Sequence, residues 1–196
     1  MSCVKNEAEL ETMILNNNKL FIQVLGEDVL KIDPQKITFI GNQVVVGQSN
    51  RFDLLYSYDT HEDVLVKMGE KAHYIRHLII VELKFRELRT EDLVQVGRYM
   101  NAIYGCDAEY TNKDVFSLQP IGVLVGIGMD QNLEYIHGAG ILDEKKIMLM
   151  NIKSVINFEK LEEESVDTNV LTIDKRLKEE LFRKPTGNES ETEVKE

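Results

Sequence analysis

The chain has 196 residues and a formal net charge of −11, with 43% hydrophobic and 29% charged residues. This length and composition suit one compact globular domain with appendages and exclude a fibrous or wholly disordered chain. Two cysteines, Cys3 and Cys106, are too few for a disulfide framework, and no apolar run approaches the roughly 20 residues that cross a bilayer. The N-terminus also lacks the apolar core of a signal peptide, so we expect a cytoplasmic protein without a membrane segment.

The N-terminal segment has the pattern of an amphipathic helix. Asn6 can cap this helix, and Glu9, three residues later, completes a capping-box sequence. Apolar residues recur at helical spacing along one face of the segment: Ala8, Leu10, Ile14, Leu15 and later Phe21.

Strand signals follow the first helix. Residues 37–40 and 43–46 are predicted as short strands that a turn at Gly41–Asn42 separates, and a second turn signal covers residues 47–50. Residues 51–58 alternate between two sets of side chains, as a strand with two different faces does.

The sequence HLIIVELK at residues 77–84 is a near-continuous apolar run that is typical of a central strand. The polar segment before it, residues 59–76, is predicted to be a long loop or an extension of a hairpin. Thr90 then caps a helix whose first turn carries Glu91 and Asp92, which suit the positive end of a helix dipole. Its core stripe consists of Leu93, Val96, Met100 and Ile103.

The next segments continue the alternation of strands and helices. Residues 121–127 and 146–152 are predicted as strands, and residues 130–137 as a short helix that ends at Gly138 and Gly140. This alternation predicts an α/β fold in which helices flank a mixed β-sheet.

The composition changes near residue 157. Residues 1–156 are expected to form one domain, and residues 157–196 an acidic C-terminal extension with at most one further helix, at 174–184. From Pro185 onward the extension has too few apolar residues to bury a core, and we expect it to be disordered.

Three charged residues interrupt the apolar strand segments. Glu82 and Lys84 end the central run and project from the same face, because they are two positions apart on a strand. Asp53 lies between Phe52 and Leu54 on the neighbouring strand signal. Two carboxylates brought together repel each other unless a cation lies between them, and oxygen ligands suit Mg²⁺, with Mn²⁺ as a substitute. Lys84 can then orient a water molecule or stabilise charge on an attacked phosphate.

Several motifs in this order resemble a known family. The runs RFDLLY, IIVELK and LVQVGRYM are similar to the Asp…Glu-x-Lys…Gln-x-x-x-Tyr signature of RecB-like nucleases of the PD-(D/E)XK superfamily. They look most similar to NucS-type endonuclease domains and to Shedu-related domains, as do LETMILNNNKLF before them and PIGVLVGIGMDQNLEYIHGAGI after them. The resemblance covers residues 7–152 and implies a restriction-endonuclease-like core that hydrolyses DNA.

The resemblance also implies roles for the strand residues. Asp53 and Glu82 would ligate Mg²⁺, with the Leu83 carbonyl as a third ligand, and Lys84 would position the attacking water. Because one catalytic centre cuts one strand, cleavage of both DNA strands needs two centres or two encounters, and we expect a homodimer.

The two longest predicted helices contribute further candidates through the same resemblance. Gln95 and Tyr99 are four positions apart and would line the site from the edge of their helix. The superfamily places an acidic residue of the first helix near the metal. Glu11 is the candidate because its helical neighbours are apolar, with Glu7 as the alternative, while Glu9 is used by the cap.

Other interpretations stay open beside the nuclease hypothesis. The charged residues can form a buried ion-pair cluster in an interaction module without turnover, and the acidic composition also fits an inhibitor that mimics DNA. The extension at 157–196 holds twelve acidic and seven basic residues, a net of −5, which leaves −6 on the rest of the chain. The four histidines lack metal-ligand spacing, and the sequence contains no GxGxxG or GxSxG motif. DNA or RNA as substrate, and a role in repair, defence or phage biology, are alternatives that the fold class leaves open.

Overall fold

The computed structural model describes residues 4–46, 50–64, 71–110, 116–152 and 170–172. Its strands are β1 (Thr38–Val46), β2 (Asn50–Val64), β3 (Lys71–Leu83), β4 (Phe116–Gly126), β5 (Ile147–Asn151) and β6 (Val170–Thr172). They form one mixed sheet in the order β5-β4-β3-β2-β1-β6. The β1–β2 and β2–β3 pairs are antiparallel, whereas β3–β4, β4–β5 and β1–β6 are parallel. The predicted central strand is confirmed, since β3 lies between β2 and β4.

Helices cover both faces of this sheet. The chain order is α1 (Glu7–Asn16), α2 (Asn18–Val24), a π-helical segment (Leu25–Leu30), a 3-10 turn (Pro34–Lys36), α3 (Thr90–Tyr110), α4 (Gln131–Gly138) and α5 (Ile141–Glu144). As predicted, the Asn6 side chain caps α1 by accepting a hydrogen bond from the Glu9 N–H at 2.9 Å. The Glu9 carboxylate accepts from the backbone N–H of Lys5 at 2.8 Å, so the reciprocal bond of the capping box is displaced by one residue.

Each face of the sheet has its own hydrophobic core. On the first face, α1 and α2 bury residues against alternate positions of the central strands: Leu10, Ile14, Phe21, Leu54, Tyr56, Ile79 and Val81. On the second face, α3 and α4 bury another set: Val96, Met100, Ile103, Leu133, Leu55, Leu78 and Ile80. The predicted α/β fold, a mixed sheet flanked by helices, is therefore confirmed.

The approach of α3 to the sheet depends on a glycine. A Cβ atom placed on Gly122 of β4 would lie 2.3 Å from Cγ1 of Val96, which is closer than carbon atoms approach. The missing side chain lets α3 pack directly on β4. This packing brings Gln95, the neighbour of Val96, to the end of β3.

The predicted turn at Gly41–Asn42 is wrong, and the structure decides between the two alternatives for the polar segment at 59–76. The turn at Gly41–Asn42 does not form, because β1 runs through these residues with a register irregularity between Phe39 and Gly41. The polar segment that was predicted as a loop or a hairpin extension is the extension, since β2 and β3 stay paired as far as Val64 and Lys71.

The C-terminal extension is described only in part. Its predicted helix at 174–184 lies outside the described residues, and the boundary at residue 157 stays a prediction. The strand β6, which the sequence analysis did not predict, joins the sheet beside β1 through Asn42↔Val170 and Val45↔Thr172. No helix in the described ranges is long and apolar enough to span a membrane.

Candidate active site

The candidate site lies where β2 and β3 separate. The last residue pair between them is Leu54↔Val81, and the next residues toward the open end are Asp53 on β2 and Glu82 on β3. Beyond that point the Asp53 side chain takes the place of a neighbouring strand, because its Oδ2 atom accepts a hydrogen bond from the Leu83 N–H at 2.7 Å. The backbone of β3 thus fixes the Asp53 carboxylate next to Glu82.

The Glu82 carboxylate is buried, with only 3% of the residue exposed. Its Oε1 atom accepts two hydrogen bonds, from Lys84 Nζ at 2.7 Å and from Gln95 Nε2 at 2.8 Å. Its Oε2 atom is also buried but has no hydrogen-bond partner among the residues that the structure describes. One oxygen therefore accepts two hydrogen bonds, and the other has no donor within the described part of the chain.

Gln95 and Tyr99 lie together at this end of β3. Gln95 Nε2 is 2.5 Å from the Tyr99 hydroxyl oxygen, in addition to its bond to Glu82. The Tyr99 ring packs against Phe52 of β2, with 5.6 Å between the ring centroids. The structure thus brings both predicted helix residues to the predicted strand carboxylates.

Burial and charge shift the titration of the site. Burial, with the nearby Asp53 carboxylate as the next cause, raises the pKa of Glu82 to about 7, although the Lys84 ammonium opposes the shift. Burial also raises the pKa of Asp53, against the opposing effect of the Leu83 N–H, and the charge of Glu11 adds to the rise. Burial alone would lower the pKa of Lys84, but its hydrogen bond to Glu82 and the charges of Glu82, Glu7 and Asp53 together outweigh burial and raise it. The site therefore holds two carboxyl groups whose joint ionisation needs more positive charge than Lys84 supplies.

Helix α1 supplies two more acidic residues from the other face of the sheet. Glu11 accepts hydrogen bonds from the side-chain amides of Asn42, at 3.0 Å, and Gln43. Glu7, one helical turn earlier, accepts from the Phe85 N–H at 3.3 Å. Both candidates for the first-helix acid thus reach the site region, and Glu11 is linked to Asp53 through Gln43. Asn42 and Gln43 are not among the predicted site residues, because Gly41 and Asn42 have the local signal of a turn.

A second buried acid, Asp92, lies close by in the first turn of α3. Both of its oxygens are engaged: Arg86 donates two hydrogen bonds, at 2.8 and 2.7 Å, and the Arg89 N–H donates a third at 2.8 Å. These bonds fasten the segment after β3 to the start of α3. Asp92 therefore fixes the helix that carries Gln95.

The predicted ligand set was Asp53, Glu82 and the Leu83 carbonyl. Within the described ranges, no three Asp, Glu, His or Cys side chains lie close enough together to hold a metal ion. A structural zinc site needs more protein side-chain ligands than two, whereas Mg²⁺ commonly takes one or two carboxylates and keeps several waters. Two adjacent carboxyl groups, one with a buried oxygen that has no donor among the residues described here, fit Mg²⁺ or Mn²⁺.

Comparisons with known proteins add distant structural similarities. Neither a protein-family model nor a curated protein matches the chain. Among solved structures, the chain is similar to a repair endonuclease from Pyrococcus abyssi, with 14% identity and a TM-score of 0.44 over 77% of this chain and 48% of that chain. An EndoMS–dsDNA complex gives the same identity, TM-score and coverage of this chain, with 46% of the other chain covered.

The MspJI restriction endonuclease in complex with a 27-mer oligonucleotide shows 12% identity and a TM-score of 0.33, over 81% of this chain and 34% of that chain. The chain spans about half the length of the first two proteins and about a third of the MspJI chain. At this level of similarity, membership of the PD-(D/E)XK superfamily stays a prediction from the motifs.

Proposed function

We propose that the protein is a Mg²⁺-dependent endonuclease that hydrolyses phosphodiester bonds in DNA. The observation that carries this proposal is the carboxyl group of Glu82, whose Oε2 atom is buried without a partner among the described residues. A buried polar atom without a hydrogen bond is costly and needs an explanation, of which a bound cation is one. The motif order around Asp53, Glu82 and Lys84 supplies the kind of reaction.

Asp53 and Glu82 would hold the cation, with the Leu83 carbonyl as the third protein ligand. A divalent cation there would supply Lewis-acid stabilisation of phosphate charge and would lower the pKa of a water molecule. Mn²⁺ has a similar preference for oxygen ligands and is expected to substitute.

Each neighbouring side chain has a role that follows from its contacts. Lys84 donates to Glu82 Oε1 and brings the positive charge that an attacking water or a charged phosphate needs. Gln95 donates to the same oxygen, so it holds Glu82 in the rotamer that leaves Oε2 for the cation. Tyr99 in turn contacts Gln95 and fixes its amide. Gln95 and Tyr99 therefore act by positioning Glu82.

The test is a cleavage panel with plasmid, single-stranded, branched and mismatched DNA and with RNA, each with Mg²⁺, Mn²⁺ or a chelator. We expect cleavage of DNA only with a divalent cation, and loss of cleavage in Asp53→Ala and Lys84→Ala. Glu134→Ala, which changes an exposed acid on α4, is the matched control and should cleave normally.

Cleavage by Lys84→Ala at the native rate, or equal cleavage in chelator, would refute the proposal. A panel in which no substrate is cut would favour the alternatives of a silent interaction module or an acidic inhibitor. We also propose that the active form is a homodimer, which light scattering beside the cleavage assay can test: a strict monomer that cuts both strands efficiently contradicts it.

A further inference from the structure

A network of contacts beside Asp53 centres on Gln43 of β1. The Gln43 Nε2 atom is 2.5 Å from Glu11 Oε2 and 3.3 Å from Asp53 Oδ1. Its Oε1 atom accepts a hydrogen bond from Arg51 Nε at 2.5 Å. Both ends of one amide are thus used, and they join an acid of α1 to an acid and a cation of β2.

The backbone of Gln43 is unusual for a residue in a strand. Its φ angle is 50°, in the left-handed region that residues with a Cβ atom rarely adopt. The pairs Asn42↔Leu54 and Val44↔Phe52 on either side place Gln43 directly across from Asp53. Such strained residues persist where the surrounding contacts over-determine them, and they cluster at functional sites. A glycine would fit this backbone better but would lack the amide.

The charges around the amide explain what it does. Glu11 and Asp53 both carry carboxyl groups, and an N–H donor between two carboxylates offsets their repulsion. Asn42 donates to the second oxygen of Glu11, so the two amides of β1 hold that carboxylate in one orientation. Arg51 is exposed, so its guanidinium is accessible to a substrate phosphate while its Nε atom is tied to Gln43.

We propose that Gln43 is a positioning residue of the active site: its amide holds Asp53, Glu11 and Arg51 in one arrangement across α1, β1 and β2. The inference rests on the proposed function, because the position of Asp53 matters there for holding the cation. In this arrangement Glu11 is not an independent metal ligand. It acts on Asp53 through the amide of Gln43, which contacts both carboxylates.

The first experiment is a double-mutant cycle on thermal stability without metal. Gln43→Met keeps the length of the side chain but lacks the amide, and Glu11→Ala removes the repelling acid. We expect Gln43→Met to lower the Tm in the native background and to lower it much less in the Glu11→Ala background, because contacting residues are not additive. Gln23→Met, which removes an exposed amide beside Glu27, is the matched control.

The second experiment measures turnover at saturating Mg²⁺. A misplaced metal ligand lowers the rate steeply, so Gln43→Met should lower kcat by about ten- to a hundredfold, while Gln23→Met cleaves normally. Gln43→Gly and Gln43→Ala should lose the same activity, yet Gln43→Gly should melt about 2 to 4 °C above Gln43→Ala, because only alanine keeps a Cβ at positive φ.

The outcomes separate the inference from the proposed function. Full activity in Gln43→Gly would mean that Gln43 is only a bulge residue, and the inference would fail while the nuclease proposal stood. If the native protein cleaves no substrate, the proposed function fails, and the stability cycle alone decides whether Gln43 joins the three groups. Additive changes in Tm would then overturn the inference.

Discussion

Two buried acids lie on either side of the turn that joins β3 to α3, and they differ in one respect. Asp92 is 2% exposed and both of its oxygens are bonded, to Arg86 and to the Arg89 N–H. Glu82 is 3% exposed, but only its Oε1 atom has donors among the described residues. A buried oxygen without a donor costs free energy, whereas a fully bonded buried carboxylate avoids that cost.

The same contrast appears in the partners. Arg86 is 40% exposed on its side chain and uses two of its donors on Asp92, which makes a bidentate pair between a partly exposed guanidinium and a buried carboxylate. Lys84 is 12% exposed and supplies a single bond to Glu82. The first pair therefore engages both oxygens of its acid, whereas the second engages one oxygen of Glu82.

The strongest test of this contrast compares two isosteric substitutions. Glu82→Gln should lower cleavage by at least about a thousandfold, because it removes a metal-binding charge, and it should leave the protein folded. Asp92→Asn should retain most of the turnover per folded molecule. Cleavage rates, normalised to the folded fraction by circular dichroism, measure both, and equal loss of turnover in the two variants would contradict the distinction.

Gln95 gives the next largest effect. Gln95→Ala removes the amide that donates to Glu82 Oε1, so the Glu82 carboxylate can rotate. The loss of such a positioning contact typically lowers activity ten- to a hundredfold. We expect kcat to fall by about that factor, with a smaller change in Mn²⁺ affinity by calorimetry, because Gln95 is not itself a ligand. Asn101→Ala, on an exposed position of α3, is the control and should match the native rate. Native turnover in Gln95→Ala would show that Gln95 does not position Glu82 for cleavage.

For the stability of the fold, in contrast to cleavage, we expect the larger loss from a substitution of Asp92. Asp92→Ala breaks a buried ion pair and leaves the Arg89 N–H without its acceptor, so we expect a loss of about 3 kcal/mol in the free energy of unfolding. This figure is at the low end for buried pairs, because Arg86 is partly exposed and water can solvate it. Urea denaturation measures the loss. A change below that of an exposed substitution such as Glu134→Ala would show that the fastening is dispensable.

The sequence predicts the centre of this site and its helix residues, but not the amides of β1 beside Asp53. Asp53, Glu82 and Lys84 could be found because charged residues within apolar strand segments need a partner or a function. The role of Gln43 could not be found, since its neighbours Gly41 and Asn42 have the local signal of a turn. A left-handed glutamine inside a strand depends on contacts with α1 and β2 that local propensity does not contain.

The sequence also does not predict that the two oxygens of Glu82 differ in their hydrogen bonding. This difference arises because Lys84 from β3 and Gln95 from α3 both donate to the same atom. The distance of α3 from the sheet depends in turn on the absence of a side chain at Gly122. Motif order predicts which residues meet, whereas packing decides which atom each residue uses.

The smallest expected effect is the pH dependence of stability that Glu82 contributes. Burial and the charge of Asp53 raise the pKa of Glu82 from 4.5 to about 7, so in this window the folded protein binds a proton that the unfolded chain releases. Stability from this group is therefore present at low pH and is lost as pH rises toward 7. Between pH 5 and pH 7 the loss amounts to about 2 kcal/mol for such a shift.

Urea denaturation in a chelating buffer at both pH values, for native protein and Glu82→Gln, isolates this loss as a difference between the two proteins. The native protein should lose about 2 kcal/mol more than Glu82→Gln between pH 5 and pH 7, whereas Asp92→Asn should lose as much as the native protein. Added Mg²⁺ should abolish the difference, because a bound cation keeps Glu82 ionised in the folded state. Equal slopes for native protein and Glu82→Gln would mean that Glu82 titrates normally, and the contrast between the two acids would then rest on geometry alone.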